Sequence, residues 1–198
     1  MRIIRYPCFF RNAIKRINTK EKVLYITFDD GPTVEITVKV LEILEKYKAE
    51  ATFFCLGENA NKFPKILEKI KTAGHTIGNH GYSHKNAFKT TKKLWLENAI
   101  NYSLISDSQY FRPPYGNIYP SQFHKLSKKY KIILWDVLSY DFDKNLSPET
   151  IQKIILKYIR NGSIIVFHDT DKAAKNMFPT LQFTLKHFSE LGFVFKKL

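Results

Sequence analysis

The sequence has only two cysteines, Cys8 and Cys55, in 198 residues, too few for a disulfide framework. Cys55 falls in an apolar run and reads as a small buried residue. No apolar stretch approaches the ~20 residues that a membrane-spanning helix needs, so no spanning segment is expected. A cleavable leader pattern is also missing: Tyr6 to Phe10, the longest uncharged stretch near the start, is short and contains a proline. On that ground a cytoplasmic location is the expectation. Acidic residues are scarce, with 18 Asp and Glu against 32 Lys and Arg and a formal net charge of +14. Lysine dominates the excess and is spread along the chain. Nucleic-acid readers favour arginine and clustered aromatics, so the excess is read as a solvated surface and no nucleic-acid partner is expected.

What is present is enough for a sizeable core: 44% hydrophobic residues, including 16 Phe and 11 Tyr. Residues 1–22 read as a basic arm, with Arg2, Arg5, Arg11, Lys15 and Arg16 set among isoleucines and phenylalanines. Packing on the domain is the simpler role for it. The alternative is weak peripheral association with an anionic membrane surface. Residues 23–198 read as one domain, uninterrupted by any low-complexity linker, and a monomer is expected.

Within that domain short apolar runs alternate with helical periods. Strands are predicted over the run from Tyr25 into Asp29-Asp30 and at Ala51–Leu56, Thr76–Asn79, Tyr110–Phe111, Lys131–Leu138, Ile164–Phe167 and Phe193–Phe195. Helices are predicted at Val34–Lys48, Asn61–Ala73, Thr90–Ser106, Pro120–Lys129, Ser147–Asn161 and Met177–Leu191. Strands that are apolar on both faces belong to a parallel sheet covered by helices. An open doubly wound sheet and a small, incomplete (β/α) barrel both fit this pattern. In either, the strands' C-terminal ends build the site, and Asp29-Asp30, His80, Arg112, Asp136 to Asp141 and His168 all fall there.

Tyr25 to Pro32 delivers two adjacent carboxylates to a strand exit closed by Gly-Pro. Like charges this close raise each other's pKa unless a cation compensates. They are either turn and cap residues or a pair in which one Asp binds a metal and the other moves a proton. His80 and His84 stand four apart, a spacing that on a helical turn puts both imidazoles on one face. They are either surface or loop histidines or, with Asp30, a two-histidine, one-carboxylate set for a divalent cation, which would leave Asp29 as general base. Arg112 can hold Asp29 ionised, and the proline-rigid loop after it can aim a backbone N–H at an oxyanion. His168 is either a general acid or a strand-end histidine bonded to Asp169. A base, an acid, a metal and an oxyanion donor together describe hydrolysis of an amide or ester.

Thr27-Phe28-Asp29-Asp30-Gly31-Pro32, His80-Gly81-Tyr82-Ser83-His84, Arg112-Pro113-Pro114-Tyr115-Gly116 and Ile165-Val166-Phe167-His168-Asp169 resemble, in order and spacing, motifs of the polysaccharide deacetylases (NodB homology domain, carbohydrate esterase family four). The resemblance implies a distorted, incomplete (β/α) barrel with about seven parallel strands and metal-dependent removal of N-acetyl groups from an N-acetylglucosamine-containing glycan, of chito-oligosaccharide or peptidoglycan type. It implies Asp29 as base, Arg112 as its orienting partner and His168 as acid. Asp30, His80 and His84 become ligands of a divalent metal, with Zn2+ favoured and Co2+ or Ni2+ as alternatives. Tyr115 is implied as the oxyanion donor, and Pro114 and Asp141 as substrate-side residues.

One departure stands out. Where many members carry Asp-x-x-Asp-Trp, this chain reads Leu138-Ser139-Tyr140-Asp141-Phe142. If the missing carboxylate tunes the acidic histidine, His168 loses that partner, and Asp136 or Asp141 would have to compensate. An O-acetyl polysaccharide esterase and a catalytically silent carbohydrate-binding relative are the alternative functions.

Overall fold

The computed structural model describes residues 12–101 and 107–198. Outside them lie Arg2, Arg5, Arg11 and Cys8 of the arm, and Tyr102 and Ile105, which share with Leu94, Trp95 and Ala99 the inner face that the apolar period predicts for the helix over Thr90–Ser106. The elements run β1 (Val23–Asp29), α1 (Val34–Lys46), β2 (Ala51–Cys55), α2 (Gly57–Lys62), α3 (Pro64–Thr72), β3 (Thr76–Asn79), α4 (Lys92–Ile100) and β4 (Tyr110–Phe111). They continue with α5 (Pro120–Leu126), β5 (Lys131–Ile132), β6 (Val137–Leu138), α6 (Pro148–Tyr158), β7 (Ile164–His168), α7 (Asp171–Glu190) and β8 (Val194–Phe195). The sheet order is β5-β4-β3-β2-β1-β7-β6, every pair parallel, with β8 added beside the start of β1.

This order explains why Lys131–Leu138 is not the single strand its apolar run predicts. β5 and β6 lie on opposite edges of the sheet although only residues 133–136 separate them. So short a link can join them only if the sheet curls until its edges nearly meet, since a residue spans at most ~3.6 Å. The outcome is the incomplete barrel. Ile14 to Ile17 help fill the gap: Ile14 N–H donates to Ile132 O and Leu134 N–H to Ile14 O, while Ile17 N–H donates to Gly162 O. The described end of the arm is thereby packed on the barrel.

Alternation along the strands sorts residues between the two sides. Leu24, Ile26 and Phe28 of β1, Phe53 of β2 and Ile165 and Phe167 of β7 pack outward, under α1, α6 and α7, in the main core. Thr27 and Asp29 lie on the opposite, inward side. Phe54, Ile133 and Ile164 fill the interior with Tyr25 and Trp135. Space there is tight: a Cβ on Gly78 would sit 2.4 Å from the Phe54 ring. The missing side chain lets that ring lie flat beneath Arg112.

Several helix limits differ from the expectation for local reasons. The helix predicted over Asn61–Ala73 is two helices, because Phe63 precedes Pro64 and leaves the helical region at φ −126°, ψ 56°. α7 begins at Asp171, well before Met177, and α5 ends at Leu126, earlier than its apolar period suggests. Leu94, expected on the inner face of α4, is exposed, while Trp95 and Ala99 are buried. No described helix is long and apolar enough to cross a membrane.

Candidate active site

β1 and β7 pair in a register that sets Asp29 opposite His168 at the end of the barrel. Arg112 enters from the end of β4. Its side chain is fully buried, and its guanidinium donates to Asp29 Oδ1 at 2.6 Å, Thr27 Oγ1 at 2.8 Å and Leu134 O at 3.2 Å, with the Phe54 ring 4.0 Å beneath it. A buried charge is costly without partners and hydrogen bonds, and here each has both. Burial pushes the Asp29 carboxyl upward, but Arg112, then His80 and His168, outweigh it and hold the group below its ordinary value. Asp29 therefore stays ionised.

Asp30 lies one residue beyond β1 with φ 77°, a left-handed conformation unfavourable for a non-glycine residue. His84, Tyr115 and Tyr140 share that sign of φ, so the unusual backbone gathers around this site. Asp30 is held by its surroundings. Asn59 Nδ2 donates to its carbonyl at 2.7 Å. Asp169, buried behind it, accepts from Gly31 N–H at 3.1 Å and from Thr37 Oγ1. A Cβ on Gly31 would fall 2.1 Å from Asp169 Oδ2. Burial lifts the Asp169 carboxyl to about 7 against those hydrogen bonds.

The loop from His80 to His84 is not the helical turn its spacing suggests; it is a bend in which Gly81 and His84 both take positive φ. Polar side chains hold it in place. Asn79 Oδ1 accepts from Gly81 N–H, and Asn98 Oδ1 accepts from Tyr82 N–H. His80 Nδ1 lies 2.8 Å from the Arg112 carbonyl. A carbonyl only accepts, so Nδ1 carries the proton and Nε2 presents its lone pair. Burial pushes the His80 pKa down to about 4, leaving the ring neutral at neutral pH.

That lone pair faces Asp30 Oδ1 at 3.5 Å, and His84 Nε2 lies 3.2 Å from the same oxygen. Donor atoms of Asp30, His80 and His84 all lie within 4.8 Å of one another. Asp30 Oδ1 is buried and receives no well-directed hydrogen bond. An orphaned carboxylate oxygen between two imidazole nitrogens is the environment a divalent cation satisfies, so these residues fit one.

On the far side, Asp141 and not Asp169 partners His168. Asp141 Oδ1 lies 2.7 Å from His168 Nδ1, and Oδ2 accepts the His168 backbone N–H at 2.8 Å. Both oxygens are engaged and the side chain is buried, so Asp141 orients the histidine and does not face substrate. His168 thus has a carboxylate partner without one at Leu138, and Phe142 packs edge-on to its ring at 5.0 Å. Burial works against the imidazolium, yet Asp141, then Asp29 and Asp30, lift its pKa to about 9. Asp136 lies away from the site, paired with Arg160 at 2.8 Å and with Ser163.

Pro114 is buried beneath the 3₁₀ turn Pro114–Gly116 and shapes it without facing outward. Tyr115, 58% exposed, stands on that turn with its ring 4.4 Å from His84. Its N–H belongs to the first turn, where no intrahelical acceptor exists. Thr27, Asn59 and Asn98 support the site without having been singled out in the sequence, and Asp169, read there as a partner for His168, instead holds Gly31 and Thr37. Of these, Thr27 was legible, lying two residues before Asp29 on the same strand face.

A family model described as polysaccharide deacetylase matches residues 16–134. A Bacillus cereus peptidoglycan-N-acetylglucosamine deacetylase is 39% identical over 152 residues, which is 73% of this chain and 55% of that protein. The chain thus spans about half of that relative. A chitooligosaccharide deacetylase of Azorhizobium caulinodans is 32% identical over 166 residues, covering 78% and 77% of the two chains. The crystal structure of the Bc1960 peptidoglycan N-acetylglucosamine deacetylase superposes with a TM-score of 0.89 at 31% identity, over 98% of this chain and 95% of the other.

Proposed function

The chain belongs to the polysaccharide deacetylase family, and from that premise we propose that it is a metal-dependent hydrolase removing N-acetyl groups from an N-acetylglucosamine-containing glycan. The observation that carries the reading is the division of the two adjacent carboxylates: Asp29 bonded to Arg112, Asp30 turned to His80 and His84. Those last three residues would hold the divalent cation, for which zinc is the first candidate. When bound, such a cation polarises the acetyl carbonyl and makes a water more acidic.

The chain's own groups supply the rest. Asp29, kept ionised, takes a proton from the attacking water as its oxygen joins the acetyl carbon. The Tyr115 N–H donates to the oxygen that becomes negative. His168, protonated at neutral pH, gives its proton to the sugar nitrogen as the carbon–nitrogen bond breaks. Acetic acid and a free amine result, with one proton left on Asp29 and one lost from His168; the acid then ionises to acetate in solution.

The assay is acetate release from N-acetyl-chito-oligosaccharides and from peptidoglycan, with zinc, cobalt or nickel added. Metal-dependent release is expected from at least one. Release only from O-acetylated xylan would assign the site to ester hydrolysis instead, and none from any would overturn the activity.

The acid assignment carries a pH prediction. His168 must be protonated to act, so activity is full below its pKa and falls as pH rises through about 9. Asp141→Asn removes the largest opposition to burial. The alkaline limb of kcat/KM should then move down to or below the ordinary histidine value of 6.5. An unmoved limb would show that another group is the acid.

A further inference from the structure

Beyond His84, two loops run side by side and pair every second residue. The His84 and Tyr115 rings lie 4.4 Å apart. Asn117 Nδ2 reaches Asn86 Oδ1 at 3.4 Å. Phe88 then meets Tyr119 edge to face at 5.0 Å. The residues between the outer rungs, Ala87 and Ile118, are both fully buried in a core cluster with Trp95, so the alternation is built into the fold. Loop geometry is pinned as well: Phe88 N–H donates to Asn86 Oδ1, Trp95 Nε1–H to Lys85 O, and Tyr119 N–H to Gln122 Oε1.

A singly exposed phenylalanine is ordinary on a protein surface. Phe88, 55% exposed, differs because it ends a fixed strip that begins at a metal-ligand candidate. The chemistry of the strip alternates: a ring, an amide pair, a ring. In the amide pair the bond between Asn117 and Asn86 leaves the Asn86 NH2 and the Asn117 carbonyl for a further partner. Aromatic faces with amides between them suit a pyranose, which offers apolar C–H faces and a rim of hydroxyl and acetamido groups.

We infer that Asn86, Phe88, Asn117 and Tyr119 form a subsite for the sugar residue next along the glycan from the one being deacetylated. This rests on the deacetylase reading above. It adds that the enzyme prefers chains to single sugars, and it names the residues that set the preference.

The test compares wild type, Phe88→Ala and Phe88→Tyr on single N-acetylglucosamine and on its pentamer, reading kcat/KM for acetate release and affinity by calorimetry. The ring is exposed, so unchanged thermal melting is expected of both variants. Loss of one aromatic contact of this kind should lower pentamer kcat/KM by roughly tenfold and leave the single sugar within about twofold. Phe88→Tyr, which keeps the ring, should restore the pentamer value. Equal effects on the single sugar and the pentamer, or none, would overturn the subsite. If wild type releases no acetate, the deacetylase reading is what fails. Pentamer affinity then decides the subsite: weaker binding by Phe88→Ala supports it, and equal binding removes it.

Discussion

Asp29→Asn is expected to lower turnover about a thousandfold while leaving the metal bound, within the roughly 10²–10⁴-fold that general acid–base catalysis contributes. Asparagine keeps an oxygen to accept from Arg112, which lies 2.6 Å from Asp29 Oδ1, so the local geometry is preserved. It loses the negative charge, and with it the ability to take a proton. Breaking a buried ion pair costs roughly 3–5 kcal/mol when a partner is removed outright. The retained hydrogen bond should keep the loss below that, so a lowered but cooperative melt is expected. Acetate release measured beside metal content by atomic absorption checks the claim. A variant that keeps wild-type turnover would remove Asp29 from the role of base.

Asp30→Ala should fail in the opposite order. The oxygen lost is the one shared by His80 and His84 at 3.5 and 3.2 Å. Removing even a group that only orients a ligand costs roughly 10–100-fold in metal affinity, so deletion of a ligand should cost at least about a hundredfold. Asp30 is partly exposed, and no described side chain donates to its Oδ1, so the cost to folding should be confined to the φ of 77°, which alanine adopts less readily than aspartate. Turnover should return in part at high zinc concentration, which no concentration of metal can achieve for Asp29→Asn. The contrast is read by titrating zinc against both variants. Rescue of both, or of neither, would deny the division of labour.

The parts of this site legible in the sequence are those carried by strand ends. An apolar strand running into a polar residue announces where the chain leaves the sheet, and Asp29, His80, Arg112 and His168 all sit at such exits. Thr27 is visible by the same alternation. What the sequence hides depends on contacts between distant segments. Asp141 and Asp169 flank His168 as comparable carboxylates in the sequence. Only the curl of β6 beside β7 turns Asp141 onto the imidazole and leaves Asp169 to hold Gly31 and Thr37. Asp136 looked equally placed, yet it precedes β6 and pairs with Arg160. The split of Lys131–Leu138 has the same origin, since an apolar run cannot reveal that its two halves join opposite edges of one sheet. The bend at His80–His84 escaped because a spacing of four fits a helix as well as a loop whose glycine and histidine take positive φ.

The most direct measurement is a crystal structure of the protein loaded with zinc and acetate. The account predicts the ion bound by Asp30, His80 Nε2 and His84 Nε2 at about 2.0–2.2 Å, with Asp29 uncoordinated and still bonded to Arg112, and acetate beside the Tyr115 N–H. Zinc coordinated by Asp29, or bound away from these three residues, would contradict it.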